Sequence, residues 1–417
     1  MSQQTVAIVG AGLGGFQVAA VLRDLQFPGR VVLVGDEPHA PYHRPPLSKS
    51  FMLGTTEESK LGMRPPTFYA DKRIELITGK RAVAVDRAHC KLALEDDSVI
   101  EYDHLVLATG ARNRPLPVPG TDLGGVHFLR TVGEARRLRA SLASVKKVVV
   151  IGAGFIGLEF AASALESGVE VTVIEVADRP MARALSVPMS AVFARELTRM
   201  NVRLLFNTQV MRLIGAGARV TGVETVEGQL VPCDLVVIGV GVIPNVELAA
   251  TCNLDVQNGI VVDEHLLTAD SSISAVGDCA AHPSAHADGI VRIESVQNAT
   301  DQGRCVAGRI AGRPSRFTAV PWFWSDQGDL KLQIAGLTAG CDRTVVRGDP
   351  TSTSCAVFCF RGERLLGVET VNRPADHMAA RRLIANHVQL SAEQAADERF
   401  DLKQLAAAAA AAVEARS

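Results

Sequence analysis

Two glycine-rich segments of the same kind each follow a short apolar run. Residues 10–15 read Gly-Ala-Gly-Leu-Gly-Gly after the run 6–9, and residues 152–157 read Gly-Ala-Gly-Phe-Ile-Gly after the run 148–151. In this spacing the first glycine permits a tight turn, the second lets the backbone approach a pyrophosphate, and the third lets a helix pack on a strand. The two segments therefore predict that one chain binds two dinucleotides. The alternative is that the glycines only form strand-to-helix turns.

An acidic residue follows each glycine-rich segment after about 20 residues. These acids are Asp36 and Glu175, and Glu37 is the neighbouring alternative to Asp36. A carboxylate at the tip of the second strand of such a unit accepts hydrogen bonds from ribose hydroxyls. Each segment therefore has a partner suited to the nucleoside part of a dinucleotide.

The elements that must position these residues are predicted as two strand–helix–strand units. The first covers residues 5–36, with a further buried strand in Tyr102–Gly110, and the second covers Lys147–Glu175. We expect the second sheet to continue through residues 234–239 and then 241–245. Each glycine-rich segment then lies between a strand and a helix N-terminus, where the helix dipole favours an anion.

The rest of the chain predicts a discontinuous first domain and a third domain. A short strand at 273–276 precedes Gly277-Asp278 and an expected helix, and this piece is predicted to return to the first domain. From Phe317 onward, short strands with turns are followed by helical sequence. The predicted fold class is α/β, with two Rossmann-like dinucleotide-binding domains and a C-terminal α+β domain. The predicted boundaries are 1–113 and 246–318 for the first domain, 114–245 for the second and 319–417 for the third.

Composition sets limits on the partners of this chain. The formal net charge is −2, from 43 basic and 45 acidic residues, which predicts no nucleic-acid and no membrane-surface binding. No run approaches the about 20 apolar residues of a membrane span, and no basic segment precedes the first strand, so we expect a cytoplasmic protein. The eight cysteines form no CxxC pair and no metal-ligand spacing, which predicts neither a thiol redox centre nor a metal site.

Several longer blocks carry a resemblance to a known family. The most specific is Pro41–Lys49, which reads Pro-Tyr-His-Arg-Pro-Pro-Leu-Ser-Lys. Further matching blocks are residues 105–110, 154–159, 239–245, 275–278, 292–299 and 321–327. On these blocks the chain resembles the oxygenase-coupled NADH:ferredoxin reductases over nearly its whole length. That resemblance implies a fold like that of glutathione reductase, without the redox-active cysteine pair of that enzyme.

The resemblance implies that the first domain binds FAD. Asp278 would bind the ribitol chain, Val83 would meet the adenine through its backbone, Val296 would direct an amide at the flavin pyrimidine, and Lys49 would reach the N5 side of the flavin. The implied FAD contacts are Gly10, Gly12, Leu13, Gly14, Gly15, Asp36, Glu37, Arg44, Pro46, Lys49, Val83, Ala108, Thr109, Gly110, Arg130, Gly277, Asp278, Glu294, Ser295, Val296 and Trp324.

The resemblance also implies that the second domain binds NADH. The implied contacts are Gly152, Gly154, Ile156, Gly157, Glu159, Glu175, Arg183 and Gly241. Glu175 should bind both ribose hydroxyls and repel a 2′-phosphate, which favours NADH over NADPH, whereas Arg179 could weaken that preference. Our hypothesis for Glu159 is that it pairs with Lys49 and shifts when nicotinamide enters. The alternative is an acid placed favourably in the first turns of a helix.

The implied reaction is hydride transfer from NADH to FAD N5, followed by single-electron transfers to a small [2Fe-2S] ferredoxin that feeds a cytochrome P450 or ring-hydroxylating oxygenase. The candidate catalytic residues are Lys49, Glu159 and Trp324. The ferredoxin is expected near Arg304 and Trp324, with Arg309 and Lys403 as further candidates. Gly328 stands where the family pattern predicts tyrosine, so docking there is expected to differ.

Other readings stay open at this point. An NADH oxidase, a peroxidase or a quinone reductase could use the same fold, although the segment 41–49 contains no cysteine for peroxidase chemistry. A rubredoxin could replace the ferredoxin as partner. A flavoprotein similar to apoptosis-inducing factor shares the Arg-Pro-Pro-Leu-Ser-Lys segment, and would use NADH to change conformation.

Overall fold

The computed structural model describes residues 4–414 of the 417 residues, with side chains up to residue 408. The ends of the predicted first and third domains, 1–3 and 415–417, lie outside the described residues. The chain divides into two compact units, each described here by itself. The first unit holds residues 4–43, 58–112 and 243–321, and the second holds 44–57, 113–242 and 322–414.

The strands and helices alternate along most of the chain. Up to residue 142 they are β1 (Thr5–Val9), α1 (Leu13–Asp24), β2 (Arg30–Val34), α2 (Thr67–Asp71), β3 (Ile74–Ile77), β4 (Ala82–Asp86), β5 (Lys91–Leu94), β6 (Val99–Glu101), β7 (His104–Leu107), β8 (Ala111–Asn113), β9 (Val126–His127) and α3 (Val132–Leu142). Up to residue 251 they are β10 (Lys147–Ile151), α4 (Phe155–Glu166), β11 (Glu170–Ile174), α5 (Val187–Arg199), β12 (Arg203–Leu205), β13 (Val210–Ala216), β14 (Arg219–Thr225), β15 (Leu230–Pro232), β16 (Leu235–Ile238), β17 (Val242–Pro244) and α6 (Glu247–Thr251). The remainder are β18 (Ile260–Val261), β19 (Ile273–Ala275), β20 (Ala280–Pro283), β21 (Ile290–Arg292), α7 (Val296–Ile310), β22 (Trp322–Gln327), β23 (Leu330–Gly336), β24 (Arg343–Gly348), β25 (Cys355–Arg361), β26 (Arg364–Val371), α8 (Pro374–Ala385), α9 (Ala392–Ala396) and α10 (Leu402–Glu414).

The first unit is built on a five-stranded parallel sheet in the order β19-β7-β1-β2-β3. Its central strand β1 is apolar on both faces, as expected for a parallel sheet covered on both sides. Helices α1 and α7 pack together closely. The closeness is shown at Gly303, where an added Cβ would lie only 2.9 Å from the Cβ of Gln17. Strand β19 completes this sheet from a distant part of the chain, which confirms the predicted discontinuity.

The segment after Gly277 corrects one prediction. Instead of a helix, a single 3-10 turn covers Gly277–Cys279, and strand β20 follows it directly. The expected helix begins only at Val296, where the Ser295 hydroxyl caps it by accepting from the Asn298 amide. Residues 280–292 instead form strands β20 and β21, paired with β18 in a small sheet.

The second unit contains a five-stranded parallel sheet in the order β12-β11-β10-β16-β9. Strands β10 and β16 are apolar runs, and helix α4 connects β10 to β11 as predicted. Strand β17 lies outside this sheet, so the expectation that the sheet continues to residue 245 was wrong. The positive φ of 98° at Gly241 turns the chain away after β16.

The second unit also contains a five-stranded antiparallel sheet in the order β22-β23-β26-β25-β24. Strand β25 is buried over its first six residues, and α8 packs on β23 and β26. Together with the two parallel sheets, this confirms the predicted α/β fold class with a C-terminal α+β part. Among residues 4–414, no helix has the length and apolar character needed to cross a membrane.

Candidate active site

Of the four glycines in the first glycine-rich turn, two are fixed by close packing and one faces open space. A Cβ added at Gly10 would lie 2.1 Å from the Ala108 carbonyl oxygen, and one at Gly15 would lie 2.0 Å from the Gly10 carbonyl oxygen. A Cβ at Gly12 would meet no heavy atom within 4 Å. The open side of the turn therefore lies at the second glycine, where the fingerprint requires room for a pyrophosphate. The residues present fit a bound dinucleotide.

The second glycine-rich turn repeats this arrangement. A Cβ added at Gly152 would lie 2.5 Å from the Gly239 carbonyl oxygen, and one at Gly157 would lie 2.5 Å from the Gly152 carbonyl oxygen. At Gly154 the nearest heavy atom would be 3.8 Å away. Ile156, in the first turn of α4, is 46% exposed. This turn fits a second dinucleotide on the same grounds.

The two ribose-binding candidates differ in their surroundings. The Asp36 side chain is 62% exposed, and its nearest cation, Arg81 Nη2, lies 3.8 Å from Asp36 Oδ2. Neighbouring Glu37 accepts a 2.6 Å hydrogen bond from the Tyr42 hydroxyl. The Glu175 carboxylate instead accepts from two backbone amides, Ala153 N at 2.7 Å and Ala177 N at 2.9 Å. Glu175 is thus held against its own glycine-rich turn.

Several other FAD candidates of the first unit surround the carboxyl ends of β7 and β19. The Thr109 hydroxyl donates to the Asn245 carbonyl at 2.6 Å, and the Asn245 side-chain amide donates back to the Thr109 carbonyl at 2.9 Å. The Gly277 amide donates to Gln302 Oε1 at 2.7 Å, and Gly277 has a φ of 79°. The carboxyl ends of parallel strands are where ligands bind in open α/β sheets. The structure therefore brings residues 108–110, 277–278 and 294–296 of one unit to such an edge.

Cys279 directly follows Gly277-Asp278 and is fully buried. This burial raises the pKa of its thiol. Val83 lies on strand β4 and is 48% exposed.

The segment 41–49 places Arg44 and Lys49 at the two ends of a 3-10 turn. Pro45–Ser48 form this turn, with Leu47 and Ser48 buried, and the Lys49 amide closes it by donating to the Pro46 carbonyl at 3.0 Å. Proline fixes φ and so limits the motion of this turn. Arg44 Nη1 donates to the Arg130 carbonyl at 2.8 Å, so these two FAD candidates contact each other.

Lys49 and Glu159 form an ion pair in the second unit. Lys49 Nζ lies 2.8 Å from Glu159 Oε1, and the exposed fractions of the two side chains are 21% and 3%. The Ser325 hydroxyl donates to Oε1 at 2.7 Å and the Ser48 hydroxyl donates to Oε2 at 2.5 Å. A buried carboxylate needs such partners, because desolvation penalises its charge. The pairing hypothesised from the sequence is present in the structure.

Arg183, the residue predicted to meet the NADH phosphates, lies beside Gly241 in the second unit. Arg183 Nη2 lies 3.0 Å from the position of a Cβ added at Gly241, so the guanidinium covers that glycine. Arg179 contacts Asp178 Oδ1 at 2.9 Å and the Ala182 carbonyl at 3.2 Å. Arg183 and Gly241 are thus neighbours, and Arg179 is engaged by an acid of its own loop.

The docking candidates divide into exposed and inward-facing residues. Trp324 and Trp322 lie 5.5 Å apart between ring centroids on β22, and Arg304 is 60% exposed beside Asp301. Lys403 is exposed on α10. Arg309, a further docking candidate, is half-buried. Its guanidinium donates to the Ser274 hydroxyl at 2.5 Å and contacts His104 Nε2 at 3.2 Å, inside the first unit.

Gly328 has a structural reason to replace the tyrosine of the family pattern. It lies between β22 and β23 with a φ of 59°, which side chains rarely adopt. A Cβ there would also lie 3.1 Å from Met200 Cε. The turn is therefore built for glycine in this chain.

Sequence reasoning missed three groups that touch or support the predicted site. Ser48 and Ser325 lie inside recognised blocks, but nothing in their local pattern indicates a carboxylate partner. Glu369 is an acid within the apolar strand β26, which is a usable signal. It is fully buried and accepts from the Ser186 amide at 2.8 Å and the Ser186 hydroxyl at 2.5 Å. Burial raises the pKa of Glu369 to about 7, against the opposite effect of the Ser186 donors.

Comparison with known proteins assigns this arrangement to a family. Residues 4–303 match the pyridine nucleotide-disulphide oxidoreductase family, and residues 322–406 match the reductase C-terminal family. Rhodocoxin reductase from Rhodococcus erythropolis is 53% identical over 399 residues, covering 96% of this chain and 93% of that protein.

Two solved structures agree with this assignment over almost the whole chain. The ferredoxin reductase for the CYP199A2 system from Rhodopseudomonas palustris has a TM-score of 0.95 at 50% identity, covering 97% of this chain and 100% of that one. The covalent putidaredoxin reductase–putidaredoxin complex gives a TM-score of 0.96 at 40% identity, covering 99% and 100%. These matches confirm the resemblance read from the sequence blocks. The chain therefore belongs to the pyridine nucleotide-disulphide oxidoreductase family and, within it, to the FAD-dependent ferredoxin reductases that use a nicotinamide dinucleotide.

Proposed function

We propose that this chain is an NADH-dependent flavoprotein that delivers electrons to a small [2Fe-2S] ferredoxin of a cytochrome P450 or ring-hydroxylating oxygenase system. The observation that carries this proposal is the presence of two equivalent glycine-rich turns in one chain, each open only at its second glycine. The solved relatives named above are a ferredoxin reductase for the CYP199A2 system and a putidaredoxin reductase in covalent complex with putidaredoxin. We also propose the division into an FAD domain (1–113 and 246–318), an NAD domain (114–245) and a C-terminal domain (319–417).

FAD is assigned to the first turn. Residues Gly10–Gly15 would hold its pyrophosphate, Asp36 its adenosine ribose, and Asp278 its ribitol chain. The N-terminus of α7 at Val296 offers the positive end of the helix dipole, which would favour negative charge on the flavin ring. Bound there, FAD would supply a hydride acceptor for NADH and a donor of single electrons.

NADH is assigned to the second turn, in preference to NADPH. The Glu175 carboxylate is fixed by two amides, so it is held where a 2′-phosphate would lie. Arg179, the residue that could offset this charge, is already paired with Asp178. Arg183 is placed to meet the NADH phosphates beside Gly241.

Lys49 and Glu159 are assigned to control charge near the reacting atoms. The Lys49 side chain is 21% exposed and flexible, so its ammonium can exchange between Glu159 and the N5 side of the flavin. No side-chain nucleophile is required, because positioning and cofactor electronics carry hydride transfer. A ferredoxin would dock near Trp324, with Arg304 and Lys403 as cationic contacts for an acidic partner.

Anaerobic stopped-flow spectroscopy tests this assignment. The purified holoprotein is mixed with NADH or NADPH, and the reduced protein is then mixed with a [2Fe-2S] ferredoxin. We expect fast loss of flavin absorbance with NADH, slower loss with NADPH, and prompt reoxidation by the ferredoxin. Reoxidation only by rubredoxin, quinone, peroxide or oxygen would contradict the ferredoxin assignment. Slow reduction with a long-lived charge-transfer band would favour a role like that of apoptosis-inducing factor.

A further inference from the structure

The buried Glu159 carboxylate is held by three donors from two segments distant from its own helix. Lys49 and Ser48 come from the segment 44–57, and Ser325 comes from strand β22. Each carboxylate oxygen accepts from one serine hydroxyl, Oε1 from Ser325 and Oε2 from Ser48. The hydroxyls therefore cover both oxygens independently of the lysine.

The three donors differ in their freedom to move. The Lys49 side chain is 21% exposed and has four rotatable bonds. Ser48 and Ser325 are 2% and 0% exposed, and each hydroxyl has a single rotatable bond to its backbone. Lys49 can thus leave the carboxylate while the serines cannot.

A carboxylate that is 3% exposed cannot simply lose its cation. Without other donors, it would either follow the lysine or take up a proton. Two charge-assisted hydrogen bonds from fixed hydroxyls oppose both outcomes, because such bonds are stronger than neutral ones. We propose, resting on the function proposed above, that Ser48 and Ser325 are positioning residues that keep Glu159 in place when Lys49 leaves it during flavin reduction.

Alanine variants of the two serines test this role in the holoprotein. The limiting rate of flavin reduction by NADH is measured for S48A and S325A, with ferricyanide as the acceptor in steady state, so that ferredoxin docking is not involved. We expect about a tenfold lower limiting rate for each variant, the usual effect of losing one hydrogen bond to a charged group. The apparent Kd for NADH should change less than about twofold, because the nucleoside contacts lie at Glu175.

Two matched variants separate positioning from packing. Ser163, one turn later on α4, is also buried and donates to the Ser48 carbonyl at 2.8 Å without touching the carboxylate. S163A should reduce flavin within about twofold of the wild-type rate, and S325T should restore most of the rate lost in S325A. Equal rates in S325A and S163A, or no rescue by threonine, would overturn the proposal.

A double variant tests whether Ser325 acts through Glu159. In the E159Q background the addition of S325A should produce no further loss, since its target has already been neutralised. A full additional tenfold loss would show that Ser325 acts elsewhere, for example through Trp324, and would overturn the positioning role. Failure of NADH to reduce the wild-type flavin would instead contradict the proposed function itself.

Discussion

The glycines at the start of the two turns lie in the same environment, whereas the residues around the turns do not. Added Cβ atoms at Gly10 and Gly152 would lie 2.1 and 2.5 Å from carbonyl oxygens of the adjacent strand ends. In the first turn a Cβ added at Gly14 would lie 3.3 Å from Val276 Cγ2, whereas the equivalent Ile156 of the second turn is 46% exposed. Shared packing explains a common pyrophosphate geometry, and the different surroundings allow different dinucleotides.

The acids after the turns extend this contrast. Asp36 is mostly exposed, while Glu175 is fixed by two backbone amides. The loop after Glu175 is also tied at Ser186 to the buried Glu369, whereas Glu37 of the first site pairs with the nearby Tyr42. In the second unit, protein contacts therefore fix the proposed ribose ligand Glu175 and the start of α5 at Ser186. We infer that selection of the nicotinamide dinucleotide resides in these contacts.

The largest expected effect comes from the first glycine of each turn. Gly10→Ala and Gly152→Ala combine a positive φ with a backbone clash, so each should lower the free energy of unfolding by about 4 kcal/mol. Gly10→Ala should also yield protein without FAD, while Gly152→Ala should retain FAD and lose reduction by NADH. Flavin content, denaturant unfolding and stopped-flow reduction measure these outcomes. Loss of FAD in both variants alike would break the assignment of one cofactor to each turn.

The free energy of unfolding should depend on pH through Glu369, which lies in the second unit. Because the pKa of Glu369 is raised to about 7 by burial, the folded state keeps a proton that the unfolded state releases above its ordinary pKa. Stability should therefore fall as pH rises towards about 7 and level off above it, by about 3 kcal/mol in total. Chemical unfolding between pH 5 and 8 should show this slope in the wild type and not in Glu369→Gln. An unchanged slope in the variant would assign the effect to other groups.

Substitution of the second glycine of each turn should weaken dinucleotide binding and leave the free energy of unfolding almost unchanged. Gly12→Ala and Gly154→Ala place a methyl group in open space at extended backbone angles, so unfolding should change by less than about 0.5 kcal/mol. The methyl group would stand where the phosphates approach, and affinity for the respective dinucleotide should fall at least about tenfold. Calorimetry with FAD on the apoprotein and NADH titration of the holoprotein measure both. A variant that loses stability but binds normally would contradict the open-turn interpretation.

The smallest expected effect concerns nicotinamide selection. Glu175→Gln removes the charge that repels a 2′-phosphate, so the preference for NADH over NADPH should fall about tenfold. The matched change Asp36→Asn, at an exposed acid, should leave this preference unchanged. The ratio of kcat/KM for the two dinucleotides measures the difference. An unaltered ratio in Glu175→Gln would remove Glu175 as the source of selection.

Local patterns in the sequence predicted much of this fold. The strands β1 and β10 and the helices after them were predicted because apolar runs and glycine spacing are local signals. The return of β19 to the first sheet was predicted from its short apolar run together with the need to complete a two-dinucleotide chain. In contrast, the 3-10 turn at Gly277–Cys279 was not predicted. A helix was expected there, but strand β20 follows the turn because it pairs with β18, and that pairing is not a local signal.

The site was predictable where residues act through spacing and not where they act through tertiary contacts. The Lys49–Glu159 pair was anticipated on family resemblance. The serine hydroxyls on Glu159 and the inward turn of Arg309 depend on which elements pack together, and serine and arginine occur in many surroundings. No local pattern distinguishes a fully exposed arginine from one that contacts the half-buried His104.

The most direct test of the central claim is an anaerobic titration of the purified holoprotein with NADH, together with its FAD content. Two turns with one cofactor each predict one FAD per chain, and complete loss of its absorbance after one equivalent of NADH. Two FAD molecules per chain, or release of FAD by NADH in place of reduction, would contradict the assignment of different dinucleotides to the two turns.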